Sequence, residues 1–349
     1  MRTARTVERN ILLALYHHSM LTAEQFRIRL HYEPCSIYRV LGWMREERWI
    51  QGMPLKFLTG NIKGWALTQD GFNVGYGLSE EAEPKYPRNK GALPGQAEHL
   101  YGTNQFFIRL ISASLKCSGE GLIEWFGTRG ATESFVTEKK GQRMTPLRPD
   151  GEGIYRFADG MHVELLLEYD TGTEHMGMIQ DKLRNYGDHI GDLWDENANL
   201  VNVLVVTRTS HRALKIQAMW KWYLKEWFQN HKVPTIWFTH ETTLNELGVQ
   251  GSVWLDPDGQ WLSMQQFPRI TNPLYSAGVP LGKQARNSAP FANGQVRQRE
   301  KCFNRFECAG HAHTCPKFVF KLECRRMVIR LRRANVNATC CFHLHVIRR

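Results

Sequence analysis

Leu165-Leu166-Leu167-Glu168-Tyr169-Asp170-Thr171-Gly172-Thr173-Glu174 is the stretch on which the reading of this chain turns. A short apolar run ends in two acids and then in turn chemistry. One hairpin earlier stands Pro149-Asp150-Gly151, and Asp159-Gly160 marks a tight turn between strands expected at 153–157 and 161–169. Side chains alternate across a strand, so Glu168 and Asp170 share a face about 7 Å apart. With Asp150 at the head of the neighbouring strand, three carboxylates can gather around one hard cation such as Mg²⁺.

Outward from this hairpin the pattern alternates helix and strand. A helix is expected over 95–117, with Phe106, Phe107, Leu110, Ile111 and Leu115 as its apolar face and Glu98-His99 near its start. A strand at 122–126 precedes the hairpin. After it come a helix at 174–190, striped by Ile179, Leu183, Tyr186 and Ile190, and a buried-looking strand at 202–207. A helix at 211–228, rich in Trp and Lys, and a strand at 235–239 complete the order αβββαβαβ. That order implies an α+β or α/β domain, with a mixed sheet covered by helices on both faces, over 95–262.

Residues 1–78 carry a second compact pattern. Ile11, Leu12 and Leu15 stripe a helix at 7–18, Thr22 with Gln25 forms a capping box, and Pro34 opens a third helix reaching about residue 48. Ile37, Val40, Leu41 and Met44 are that helix's apolar face. Ser36, Tyr38, Arg39, Trp43 and Arg45 form its other side. Short strands at 49–51, 55–59 and 63–68 follow, with Gly60-Asn61 as a turn. Three helices and a hairpin describe a winged helix-turn-helix. Its third helix would enter a major groove, and Tyr38, Arg39, Trp43, Arg45, Lys56 and Lys63 would meet bases or phosphates of duplex DNA. The alternatives are a protein-binding module and a solvated face on which Arg45 and Arg48 pair with Glu46 and Glu47.

The formal net charge of +11 is unevenly spread. Residues 271–349 hold 15 Lys+Arg against 3 Asp+Glu, leaving 30 against 31 in residues 1–270. Six of the eight cysteines also lie after residue 271, while all eleven tryptophans lie before residue 262. The segment 263–349 reads as a basic tail, either an arm for nucleic-acid phosphates or a disordered extension. Cys302, Cys308, His311, His313, Cys315 and Cys324 could bind a metal, but no C-x-x-C pair supports a zinc site. Acidic residues, prolines and glycines make 79–94 a linker.

No run of 18 apolar residues suggests a membrane span, and the charged N-terminus lacks a signal-peptide core, so a cytoplasmic protein is expected. Neither G-x-S-x-G nor G-x-x-x-x-G-K-[ST] occurs, which argues against a serine hydrolase and a nucleotide-phosphate loop. Cys35 and Cys117 read as packed helical residues rather than nucleophiles. In Trp220-Lys221-Trp222-Tyr223-Leu224-Lys225-Glu226-Trp227-Phe228 the rings suit either packing on the sheet or stacking on single-stranded bases.

The N-terminal winged-helix pattern, Glu98-His99, Leu147-Arg148-Pro149-Asp150-Gly151, Leu167–Glu174 and Lys182-Leu183-Arg184-Asn185-Tyr186 together resemble the replication-relaxation family of plasmids and integrative elements, over about residues 5–262. The resemblance implies a winged helix joined to a domain similar to the PD-(D/E)xK restriction-endonuclease fold. It also implies plasmid-like duplex DNA as ligand, a role in replication, relaxation or mobilisation, and a replication initiator or relaxase as partner.

In such a site Asp150 matches the Asp of the PD element and Glu168 the second acid. The position of the motif lysine is Asp170, which adds a negative charge where a positive one is expected. Lys182, on the next helix, can replace that lysine, and Glu98 can supply an accessory ligand. Asp150, Glu168 and Asp170 would then hold Mg²⁺, with Lys182 orienting water or phosphate. The structural alternative makes Thr171 and Glu174 a capping box, Asp150 turn chemistry, and Lys182 and Tyr186 an exposed helix face. Three functions stay open: a DNA-binding replication factor, a Mg²⁺-dependent endonuclease and a winged-helix transcription regulator.

Overall fold

The computed structural model describes residues 6–79, 94–135, 137–139, 142–144, 147–229 and 231–271. The expected linker, but for its ends, and the tail from residue 272, with its basic-arm and Cys/His readings, lie outside the described residues.

The N-terminal unit runs α1 (Thr6–His18), β1 (Met20–Thr22), α2 (Ala23–Leu30), α3 (Pro34–Glu46), β2 (Ile50–Pro54), β3 (Lys63–Leu67) and α4 (Gln69–Leu78). The capping box forms as expected: Thr22 Oγ1 accepts from the Gln25 N–H at 3.2 Å, and Gln25 Oε1 accepts from the Thr22 N–H at 3.0 Å. His31, with φ of 55°, closes α2 in the left-handed region and turns the chain into α3.

Three parts of this unit differ from the sequence reading. The strand expected at 55–59 is a turn, and a single strand, β2, replaces the two short ones. The 3-residue β1 is too short to show a period, yet it pairs with β3 to give the order β1-β3-β2. The added helix α4 packs back on α1. Its first turn also lies against the chain between α3 and β2, where Gly71 has no side chain: a Cβ there would lie 1.8 Å from the Trp49 carbonyl oxygen.

A larger unit follows: α5 (Ala97–Ser114), β4 (Gly121–Gly127), α6 (Thr128–Ser134), β5 (Thr137–Lys139), β6 (Gln142–Met144), β7 (Gly151–Arg156), β8 (His162–Asp170), α7 (Met176–Trp194), β9 (Val201–Thr207), α8 (Ser210–Glu226), β10 (Thr235–His240), α9 (Glu241–Leu247), β11 (Trp254–Leu255) and β12 (Trp261–Leu262). Seven strands form one mixed sheet in the order β12-β11-β10-β9-β8-β7-β4. β8, β9 and β10 are parallel, and the remaining pairs are antiparallel.

β8 is buried along its whole length because helices cover both faces of the sheet. Its odd residues Leu165, Leu167 and Tyr169 pack with Phe106 and Phe107 of α5. Leu166 packs on the opposite side with Ile179, Leu183 and Tyr186 of α7 and Trp220 of α8. The first of these cores also contains Ile11, Leu15, Phe26 and Leu41, so the N-terminal unit and the sheet share one apolar interior.

The sequence boundary at 262 falls short. Met264, Phe267 and Ile270 are buried, Phe267 stacks on Trp237 at 4.3 Å, and Ile270 pairs with the backbone of His162. Cys35 and Cys117 also differ from expectation. Both are exposed thiols rather than packed ones, because Cys35 sits in the first turn of α3 and Cys117 follows the end of α5.

Candidate functional site

The antiparallel register between β7 and β8 pairs Gly151 with Leu167, which brings Asp150 beside Glu168. The Asp150 N–H donates to the Leu167 carbonyl at 2.9 Å, and the Tyr169 N–H donates to Asp150 Oδ2 at 2.8 Å. His99 Nε2 from α5 lies 2.9 Å from the same oxygen. Thr128 Oγ1 donates to the Asp150 carbonyl at 2.8 Å. Asp150 is therefore held by three segments of chain, β8, α5 and the start of α6, at the end of the sheet.

Glu168 is held from the other side by α7. Tyr186, 1% exposed, donates its hydroxyl to Oε1 at 2.6 Å. Lys182 Nζ lies 3.3 Å from Oε2 and 3.2 Å from Glu174 Oε1. The spacing of four between Lys182 and Tyr186 puts both on one helix face, and that face is turned to the sheet rather than exposed. The capping-box alternative does not form either. α7 starts at Met176, the Thr171 hydroxyl meets that of Thr173 at 3.0 Å, and Glu174 reaches Lys182.

Burial is the main reason that the Glu168 carboxyl is pushed up to about 8, and the neighbouring Asp150 charge adds to it, while Lys182 and Tyr186 pull the other way. For Lys182 the cost of burial is outweighed by Glu168, Asp150 and Glu174, and its pKa rises. His99 is likewise raised: burial opposes its charge, but the Asp150 contact prevails. A buried, proton-hungry carboxylate with a fixed cation beside it is the local chemistry of this site.

Asp170 and Glu98, the other two acids, are engaged elsewhere. Arg212 Nε from α8 donates to Asp170 Oδ2 at 2.6 Å, and the Gly172 N–H donates to Oδ1 at 2.9 Å. Arg208 pairs with Glu98 at 2.7 Å. Among the described residues no three His, Cys, Asp or Glu side chains converge as a metal cluster. Asp150 and Glu168 are the two acids that the strand register sets side by side, though Tyr169, His99, Tyr186 and Lys182 already meet their oxygens. That donor set fits Mg²⁺, which commonly takes one or two carboxylates and keeps several waters. Arg208 and Arg212 are the site residues that sequence reasoning did not place, while His99 and Tyr186 stood in the quoted motifs without a role in the site.

On the N-terminal unit, Tyr38, Arg39 and Arg45 are exposed on α3, and Lys56 and Lys63 are exposed between and at the start of the hairpin strands. Among the described residues no salt bridge involves any of these four cations, so the alternative pairing of Arg45 with a neighbouring glutamate is not made. Trp43 differs from the others. It is half-buried, with its ring edge on Trp49 at 5.1 Å, and it serves packing first.

No curated protein is similar to this chain. Two solved structures of Lactococcus lactis ZitR, both of one double mutant and the first in apo form, match short parts of it. One is 18% identical, with a TM-score of 0.20, covering 21% of this chain and 53% of that one. The other is 17% identical, with a TM-score of 0.21, covering 22% and 51%. The match spans about half the length of ZitR, and at such scores it carries no argument. A family model described as replication-relaxation matches residues 12–204, from within α1 to within β9, and so takes in Asp150, Glu168, Asp170 and Lys182. Because that match spans more than half of the 349 residues, the chain belongs to the replication-relaxation family.

Proposed function

We propose that this protein is a DNA-binding factor for replication or relaxation of a plasmid-like element, and that its N-terminal unit grips duplex DNA as a winged helix-turn-helix. The observation that carries this reading is the set of exposed cations free of salt bridges among the described residues, Arg39 and Arg45 on α3 with Lys56 and Lys63 on the hairpin, in a body of 270 residues with 30 Lys+Arg against 31 Asp+Glu. Tyr38, 64% exposed, stands among them. Surface cations with no carboxylate to satisfy are available to phosphates, and a helix with an exposed polar face can read a major groove. A transcription regulator would share this duplex grip, but no ligand-sensing feature supports that version.

A second reading is favoured by one contact. Lys182 places its ammonium 3.3 Å from Glu168, supplying from a helix the cation that Asp170 removes from the strand. In this reading the larger unit is a nuclease-like domain that nicks one strand. Asp150 and Glu168 would hold Mg²⁺, which polarises a phosphodiester and lowers the pKa of bound water. Lys182 would face the phosphate, Tyr186 would fix the Glu168 rotamer, and His99 would fix that of Asp150. Arg212 would neutralise Asp170 rather than leave it as a third ligand.

One experiment separates the two readings. Supercoiled plasmid is incubated with the full chain and Mg²⁺ or Mn²⁺, beside Asp150→Ala, Glu168→Ala and the double variant Arg39→Glu/Arg45→Glu, with a gel shift on the same samples. Duplex binding lost only in the arginine variant, with plasmid intact in every lane, supports the binding factor. Nicking abolished by either acid substitution establishes the nuclease. A gel shift unchanged by Arg39→Glu/Arg45→Glu removes the winged-helix grip.

A further inference from the structure

Two faces of α8 differ sharply in chemistry. Ala213, Ile216, Trp220 and Tyr223 are buried against the sheet and α7. On the outer side Leu214, Ala218 and Trp222 follow each other at helical spacing, all exposed, among His211, Lys215, Lys221 and Lys225. Trp222 is 54% exposed, and its ring touches Tyr223 edge-on at 5.1 Å. The ring pattern of the sequence thus splits in two: Trp220, Tyr223 and Phe228 complete the core, and Trp222 does not.

Residues 208–226 carry five Lys+Arg and one Glu, in a body of 270 residues that holds 30 Lys+Arg against 31 Asp+Glu in all. Arg208 and Arg212 are committed to Glu98 and Asp170. Lys215 lies exposed, without a salt bridge among the described residues. Lys221 and Lys225 touch Asp258 and Glu226 at 3.4 Å each, but these are surface pairs and contribute little. The face therefore joins an exposed indole to three lysines that a phosphate can recruit.

Duplex DNA presents base edges in its grooves, whereas an unpaired strand presents base faces. An indole amid lysines suits the second. We propose that the outer face of α8 is a binding site for single-stranded DNA, with Trp222 stacking on a base and Lys215, Lys221 and Lys225 tracking the backbone. This goes beyond the duplex grip of the N-terminal unit and does not depend on the carboxylate site.

The test uses the full chain, a labelled oligothymidylate and a labelled mixed-sequence duplex, read by fluorescence anisotropy. Trp222→Ala is expected to weaken oligothymidylate binding about tenfold, Trp222→Phe to restore most of it, and both to leave the duplex affinity within about twofold. Lys221→Gln/Lys225→Gln should make the salt dependence on the single strand shallower by about 1.4, at about 0.7 per phosphate contact. Oligothymidylate bound equally well by Trp222→Ala overturns the proposal. So does parallel loss of both ligands in Arg39→Glu/Arg45→Glu, which would assign the single strand to α3. The duplex arm reports on the N-terminal grip in the same samples, so failure of one reading is seen apart from the other.

Discussion

At the scale of single residues, Glu168 and Gly102 matter most. The Glu168 carboxyl is raised from its ordinary 4.5 to about 8, chiefly by burial. The folded protein therefore holds a proton that the unfolded chain has lost between those two values. Stability from this group is complete below about 4.5 and is lost as the pH rises through about 8. Glu168→Gln keeps an oxygen for the Tyr186 hydroxyl and removes the titration. Thermal melts from pH 5 to 9 should show a smaller alkaline fall in Tm for Glu168→Gln than for the wild type; equal slopes would mean that Glu168 is not the group. Gly102 is a packing device of the same site. A Cβ there would lie 1.9 Å from Cζ of Tyr169, a ring that is buried and bonded through its hydroxyl to Glu241, so it has no room to yield. Gly102→Ala is expected to cost about 1–3 kcal/mol in urea denaturation through overpacking. It should also disturb Asp150, which accepts the Tyr169 N–H.

At the scale of elements, the junction of α1 with β4 joins the N-terminal unit to the sheet. Asn104 of α5 donates to the His18 and Met20 carbonyls at 3.2 and 2.6 Å, and Gln25 donates to Gln105 at 3.1 Å. His18 is buried, stacked on Trp125 at 3.8 Å, and neither ring nitrogen has a hydrogen-bond partner. The Arg29 guanidinium lies over the Trp125 ring at 4.6 Å. Burial first, and then the Arg29 charge, hold His18 well below its ordinary 6.5. A depressed folded pKa gives stability that is present above about 6.5 and lost as the pH falls below it, the reverse of Glu168. His18→Phe keeps a flat ring on Trp125 and loses no hydrogen bond. The drop in Tm between pH 7 and pH 5 should be smaller for His18→Phe than for the wild type, and an unchanged drop would place the acid sensitivity elsewhere. The sequence showed α1 and β4 as elements but not their junction, since His18 reads the same on a surface as in a core.

For the molecule as a whole, the decisive feature is the apolar core running from Ile11 and Phe26 through Phe106 to Leu165, Trp254 and Phe267. A shared interior is expected to couple the unfolding of the two units. Hydrogen exchange in rising urea should give one midpoint for amides of α3 and of β9. Separate midpoints would show two independently folding units. α5 belongs to both units, since it carries His99 to the carboxylates and Asn104 and Gln105 to the N-terminal unit. If DNA binds at α3, the distance from that contact to Asp150 and Glu168 is set by this helix and not by a loose tether.

The sequence by itself determined the kind and order of the long elements, from Thr22 with Gln25 at the head of α2 to the acids at the end of β8. It also carried the resemblance to the replication-relaxation family, and it offered Asp150, Glu168 and Asp170, with Lys182 and Glu98, as one candidate site. These are local facts: caps, turns and hydrophobic periods act over a few residues, and Lys182 and Tyr186 share a face because of helix geometry alone. The tertiary structure decided which base answers which acid: Arg212 for Asp170, Arg208 for Glu98 and His99 for Asp150. It decided that Trp220 is core and Trp222 surface, and that the folded chain reaches Ile270. Those outcomes depend on side chains up to about a hundred residues apart meeting across a sheet. The separation between Asp170 and Arg212 is set by the packing of α8 on β9 and β10, and no pattern within either segment encodes it.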